Sequence, residues 1–289
     1  MKRLLLALLA CQALACASSS GSAGPSLKDK PRPQSYFVGE AGRNWYYKGK
    51  SQQGVVEVGV EVGGQLEVEG KPVTVIATKI AIRTPVGKIY QYATSYYSEQ
   101  GDDVLLLRED ELVDLDLPAE VIGGGEKKQA KVTLYAPPSM HVKKTMLKPG
   151  MKWPLKGDEY KLKELSGASF LSFDRLTRLA TDASLAPANA KKSAQQGEIE
   201  VVGTGKLKVP AGEFDAVAVK QPAEGGAAVV LFFAKGIGVV RQQIVMGAAR
   251  QMDINLIEMD TPKVTEFMGD YSGKARLDAA RTALGAATK

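Results

Sequence analysis

The chain is poor in cysteine and histidine, and it has no apolar run long enough to span a bilayer as a helix. Its two cysteines, Cys11 and Cys16, both fall within the first sixteen residues. Beyond them there is no means to form an internal disulfide, a thiolate metal site or a cysteine nucleophile. A single histidine, His141, is too little for zinc, whose sites recruit several His, Cys or carboxylate ligands at set spacings. A Ser-His-Asp hydrolase could use one histidine, but no G-x-S-x-G elbow is present. Following Pro137-Pro138, His141 reads as an exposed loop residue. Neither sign of charge dominates: 38 basic residues stand against 32 acidic ones, interspersed and with no basic-aromatic stripe, which argues against nucleic acid. Gly203-Thr204-Gly205 lacks the third glycine and the following helix of a dinucleotide fingerprint, and Gly123-Gly124-Gly125 lacks the Walker spacing, so both read as turns. The densest acidic run, Arg108 to Asp116, lacks the spacing of a calcium loop and reads as a solvated loop. No catalytic residue, metal site or cofactor is expected, and the chain reads as a non-enzyme.

What is present begins with an address. Met1-Lys2-Arg3 leads into the apolar stretch Leu4 to Ala10, the pattern of a secretory signal. Ala13-Leu14-Ala15-Cys16 resembles the bacterial lipobox, an apolar-small-small tract ending in the cysteine that is lipidated and becomes the mature N-terminus. Leu8-Leu9-Ala10-Cys11 has the better residue three places before its cysteine, but leaves too short an apolar core for a signal. After Cys16, Ala17-Ser18-Ser19-Ser20-Gly21-Ser22 has the composition of a flexible tether. The resemblance implies a signal peptide over 1–15, an acyl chain such as palmitate on Cys16 and a lipidated tether over 16–35. It places the protein in the bacterial cell envelope, with the membrane as partner through that lipid. Ala17 gives no aspartate-type retention signal, so the expected destination is the outer membrane, facing the periplasm. The alternative is an ordinary signal cut after Ala15 or Ala17 that leaves a soluble periplasmic protein. Loss of Lys2 and Arg3 with the signal lowers the formal charge from +6 to +4, a mild excess that suits anionic lipid or cell wall.

Past the tether the signals are those of strands. Val55 to Val62 and Gln65 to Glu69 alternate apolar and polar residues, with Gly63-Gly64 as a hairpin turn signal between them. Val73 to Ile82, Lys88 to Tyr97 and Val104 to Arg108 continue the pattern. Lys131 to Tyr135 is a further strand that Pro137-Pro138 ends. Phe170, Phe173, Leu176, Leu179 and Ala180 recur at helical spacing within 170–196. Strands resume over 198–202, 206–209, 216–220, 229–234, 239–245 and 252–259, and the alanine-rich stretch from Ser272 reads as a helix or a frayed end. The expectation is a mainly β domain over 36–268, whole or as two sub-blocks meeting near 120–150. It is built on a large antiparallel curved sheet (half-barrel or sandwich) with one internal helix, and is followed by a helical or disordered tail over 269–289. Eleven to fourteen strands must manage their edges, by closing, stacking or curling round a helix.

Three local patterns carry a second resemblance. Gly42-Arg43-Asn44-Trp45-Tyr46-Tyr47, Val209-Pro210-Ala211-Gly212-Glu213-Phe214 and Phe233-Ala234-Lys235-Gly236-Ile237-Gly238-Val239-Val240 are similar to motifs of a loose group of uncharacterised bacterial periplasmic lipoproteins. Members carry a G-x-x-W-x-Y start, a V-P-A-G-x-F hairpin and an F-A-x-G-x-G-x-V strand. The physics of these motifs is structural. Pro210 and Gly212 set a tight turn that returns Phe214 to the core, Gly236 and Gly238 let a strand bulge, and Trp45 and Trp153 anchor the sheet. The expected function is a non-enzymatic envelope lipoprotein that binds an apolar ligand or lipid. The alternative is a structural or accessory subunit of an envelope complex for secretion, motility or assembly, with an envelope protein as partner. The residues expected to touch an apolar ligand are Tyr90, Tyr92 and Tyr96, which share one strand face by parity while Tyr97 faces the other way, together with Phe170 and Phe173.

Overall fold

The computed structural model describes residues 34–68, 70–122, 127–162, 191–223, 226–247 and 249–287. Cys11, Cys16, the 170–180 helix with Phe170 and Phe173, and Gly123-Gly124-Gly125 lie outside the described residues. Twelve strands run in chain order: β1 (Asn44–Ser51), β2 (Gly54–Val68), β3 (Lys71–Thr84), β4 (Gly87–Gln100), β5 (Asp103–Asp116), β6 (Lys128–Lys143), β7 (Lys152–Leu162), β8 (Lys191–Val209), β9 (Gly212–Pro222), β10 (Ala227–Ala234), β11 (Gly238–Met246) and β12 (Ala249–Met259). A short helix, α1 (Ala119–Ile122), joins β5 to β6. After β12 come α2 (Pro262–Met268), a 3₁₀ turn (Gly269–Tyr271) and α3 (Gly273–Ala287). No described helix is long and apolar enough to cross a membrane.

Each strand pairs antiparallel with its neighbours in sequence, and β1 pairs with β12 from Trp45–Met259 to Ser51–Met252. The curved antiparallel sheet expected from the sequence therefore closes into a ring, which removes most strand edges; its thinnest join among the described residues is β6–β7, paired only from Val132–Leu162 to Tyr135–Glu159. The seam is tied at one end by a local knot. Asp260, with φ 53, donates its N–H to the Asn44 carbonyl at 2.9 Å. Its carboxylate meets Arg43 Nε at 3.1 Å, while the Asn44 side chain accepts from the Thr261 N–H at 3.1 Å.

Strand alternation gives the ring an inner and an outer face. One apolar cluster draws on nearly every strand, including Trp45, Val58, Ile80, Tyr97, Val142, Trp153, Val219, Leu231 and Leu256, and only the inside of a ring lets such distant strands share a core. Trp45 is fully buried, and its indole N–H donates to the Ile237 carbonyl at 2.9 Å; the Tyr47 hydroxyl donates to the Val239 carbonyl at 2.9 Å. One end of the barrel is closed by the chain itself. The segment Ser35–Glu40 buries Tyr36, Phe37 and Val38 and is held by Tyr36 N–H to Lys144 O (2.7 Å) and Gly236 N–H to Ser35 O (2.8 Å). The Pro210-Ala211 turn of the β8–β9 hairpin reaches the same end, where Ala211 N–H donates to Leu256 O at 3.1 Å. Gly212 takes φ +143 there and Phe214 is buried, as the turn chemistry requires. Gly236 and Gly238 have positive φ and stand beside the bulge in the β10–β11 ladder.

The outer face of β1–β4 is covered by the C-terminal segment. Val264 and Met268 of α2 pack on Tyr46 and Ala77, and Leu277 and Ala280 of α3 pack on Leu66, Val73, Val75 and Leu107. The stretch from Ser272 is thus a docked helix rather than a frayed end.

Five local expectations are corrected. Gly63-Gly64 is not a turn: β2 runs through it with a bulge, and the β2–β3 reversal comes after Val68. The glycine is needed for space, because a Cβ on Gly63 would lie 2.2 Å from the Gly273 carbonyl oxygen. Pro137-Pro138 does not end a strand. It sits in a wide break of the β5–β6 register, between Arg108–Leu134 and Leu106–Ser139, where no ladder N–H is required of it. His141 is consequently a buried strand residue and not an exposed loop residue. The acidic run is the second half of β5, with Glu109 and Glu111 buried rather than solvated, and Gly203-Thr204-Gly205 lies inside β8 beside a bulge.

Candidate functional site

The inner wall formed by β3–β6 differs from the rest of the interior. Register sets Thr78 beside Ala93 and Ala93 beside Glu111, whose β6 partner is Lys131. One step along, Ser95 lies beside Glu109 and Glu109 beside Thr133. Gln91 stands between Ile80 and Val113 on the same face. At the lower edge the His141 ring lies 5.6 Å from Tyr97. Thr78, Gln91, Ser95, Glu109, Glu111, Thr133 and His141 are all buried, Gln91 and Ser95 at 0% exposure. Sheet alternation brings them together: once the bulge at Leu107 is passed, every second residue of β5 turns inward, so alternating polar residues become one buried band.

The band is only partly satisfied. The Ser95 hydroxyl donates to Glu109 Oε1 at 2.9 Å. Neither amide atom of Gln91 has a hydrogen-bond partner, and the same holds for Thr78 Oγ1, Thr133 Oγ1 and His141 Nε2. Each such atom costs about 1–3 kcal/mol relative to a paired one. Burial pushes the His141 imidazole down to about 4, so at neutral pH it is uncharged. Half-way round the ring the wall is largely apolar, with Val217, Val219, Leu231, Phe233, Ile254 and Leu256 all buried, and Gln221 beside Val229 as a buried polar residue on it. The interior therefore presents a hydrophobic wall opposite a strip of hydrogen-bonding groups. Among the described residues no three His, Cys, Asp or Glu side chains gather as a group that could hold a metal.

No family model matches the chain, and no curated protein matches it. Among solved structures it is similar to a protein assigned as a lipoprotein from Parabacteroides distasonis, at 12% identity and a TM-score of 0.37, over 79% of this chain and 100% of the other. It is also similar to a protein assigned as exported, with a YmcC-like fold, from Bacteroides fragilis, at 11% identity and a TM-score of 0.33, over 76% and 96% of the two chains.

The tyrosines singled out in the sequence lie on the opposite side of the wall. Tyr90, Tyr92 and Tyr96 share the outer face of β4, and Tyr97 points inward, as parity requires. Tyr92 packs on Tyr271 with ring centroids 4.9 Å apart and stacks with Tyr90 at 6.3 Å. Lys79 lies among these rings, its ammonium 5.9 Å from Tyr90 and Tyr92 and 5.1 Å from Phe267, and it donates to the Phe267 carbonyl at 2.5 Å. Tyr96 lies between Arg108, 5.8 Å above its ring, and Asp110, which accepts from its hydroxyl at 3.4 Å. Burial raises the Asp110 carboxyl, against the lowering pull of Arg108. The C-terminal segment thus occupies this aromatic face. Sequence reasoning missed the inward residues of the same strand, Gln91 and Ser95, although their alternation with the tyrosines was the available signal.

Proposed function

We propose that the protein is an envelope lipoprotein, acylated on Cys16, whose barrel acts as a non-enzymatic binding protein for an amphiphilic ligand held inside. The observation that carries this reading is the divided interior, a largely apolar wall facing a buried band in which the Gln91 amide, the Thr78 and Thr133 hydroxyls and His141 Nε2 lack hydrogen-bond partners. A fold that needed this band only for packing would be more stable with apolar residues there. A ligand with an apolar body and a polar end would lie on one wall and satisfy the other, the usual composition of a small-molecule site. The signal segment and the small-residue tract before Cys16 support the envelope assignment, with the lipid as membrane anchor.

The test is mass spectrometry of the protein taken from its own membranes, on the N-terminal peptide and on the intact protein under native conditions. The expected result is an acyl mass on Cys16 and a stoichiometric small molecule released by organic solvent. An acylated Cys16 with an empty barrel would sink the binding reading and favour a subunit of an envelope complex. An unmodified N-terminus would sink the lipoprotein reading.

A further inference from the structure

Resting on the reading of the barrel as a ligand holder, the composition of the polar band narrows what the ligand's polar end must be. A head group lying there meets the Gln91 amide, the Thr78 and Thr133 hydroxyls and the neutral His141 imidazole. The set mixes donors and acceptors, and none of these groups carries a charge at neutral pH. A phosphate or carboxylate head would carry its charge into a buried site whose unpartnered groups are all neutral, which costs far more than burying a hydroxyl. A quaternary ammonium head has no N–H with which to satisfy Gln91 Oε1, and the inward ring of Tyr97 is already packed against Phe37 and His141. A head carrying several hydroxyls, or hydroxyls and an ester carbonyl, donates and accepts at once.

We propose that the ligand is an uncharged, hydroxyl-bearing amphiphile, of the monoacylglycerol or glycolipid class, with its polar end on Gln91, Thr78 and Thr133. Gln91 is the residue that reads the head group. It is fully buried, both its amide atoms face the interior without partners, and it sits between the carboxylate rows and the apolar level of Ile89 and Ile82.

The experiment uses the delipidated full mature chain with three single-chain probes of equal acyl length: monooleoylglycerol, oleate and oleoyl lysophosphatidylglycerol. Binding is read by native mass spectrometry and by titration calorimetry. The expected result is one monooleoylglycerol per chain, with oleate and the phosphate-bearing probe at least tenfold weaker. Gln91→Leu should weaken monooleoylglycerol about tenfold while the ligand-free protein melts no lower than the parent, which separates lost recognition from lost folding. If an anionic probe binds as tightly as monooleoylglycerol, the head-group inference is overturned and the binding function stands. If all three bind but Gln91→Leu changes nothing, the polar band is not the head-group site. If no probe binds at one per chain, the binding function falls with it.

Discussion

The two faces of β4 carry the same chemistry to opposite ends. On the outer face Tyr90, Tyr92, Thr94 and Tyr96 are covered by the segment after β12: Tyr271 packs on Tyr92, and Thr94 Oγ1 and the Tyr271 hydroxyl share a hydrogen bond at 2.9 Å. On the inner face Gln91 and Ser95 are at least as deeply buried, yet Gln91 bonds nothing. The outer face looks like a binding surface in sequence and is a folded interface in structure. The inner face looks unremarkable in sequence and is where polar capacity is left over. Aromatic richness marks a place that needs covering, and the chain supplied its own cover. Unspent hydrogen-bonding capacity is the better pointer to a ligand, because a closed fold has no other use for it.

The largest way to test this contrast is acid. The His141 imidazole is held neutral down to about 4 by burial, against about 6.5 for an exposed histidine. Between those values the unfolded chain binds a proton that the folded barrel does not, so stability must fall as pH drops from about 6.5 toward 4 and level off below. The full window corresponds to on the order of 3 kcal/mol for this group. Urea melts of the parent and of His141→Leu across pH 4–7 check it. The variant should lose a large part of the parent's slope in this window, and parallel curves would mean that His141 titrates as an ordinary exposed side chain.

The outer cover can be loosened without touching the inner wall. A methyl at Gly63 would press on the Gly273 carbonyl, so Gly63→Ala should displace the start of α3 and cost about 1–3 kcal/mol, the range for overpacking. Amide exchange should quicken over Gly273–Ala287 while β4 and β5 stay protected, and monooleoylglycerol binding should be unchanged. Quickened exchange throughout the barrel would show that the C-terminal segment is part of one cooperative unit with it.

How much of this was legible beforehand divides along the same line. Strand alternation, the turn at Pro210-Gly212, the glycine bulge at Gly236 and Gly238 and the anchoring of Trp45 and Trp153 are local properties, and each is found where the residues put it. The inward turn of Glu109 and Glu111 was not legible, because it depends on the bulge at Leu107, which reverses parity part-way along β5. Gly63 misled for the opposite reason. Its cause is a contact with Gly273, more than two hundred residues further on, and a glycine needed for space looks the same in sequence as one needed for a turn. His141 was hidden by Pro137-Pro138, whose strand-breaking chemistry is real but is absorbed by a break in pairing. Closure itself, β1 to β12, is the most distant pairing in the chain and has no local trace.

The smallest expected effect is the sharpest, because it compares one substitution on the two faces. Thr94 shares a hydrogen bond with Tyr271, whereas Thr78, one strand away and on the inner face, has a buried hydroxyl without a partner. Threonine to valine keeps the shape and removes only the hydroxyl. At Thr94 this should cost about 1 kcal/mol, since it breaks a hydrogen bond and strands the Tyr271 hydroxyl. At Thr78 it should leave the ligand-free protein unchanged or raise its stability by up to about 1 kcal/mol, because an unpaired buried polar atom is replaced by an apolar one. In melting temperature the two variants should separate by roughly 2–6 °C for a domain of this size, in opposite directions from the parent. With monooleoylglycerol bound the order at Thr78 should reverse, since the hydroxyl then has a partner to lose. If Thr78→Val is as destabilising as Thr94→Val in the ligand-free protein, the inner band is already satisfied from within. The contrast between the two faces would then no longer point to a ligand.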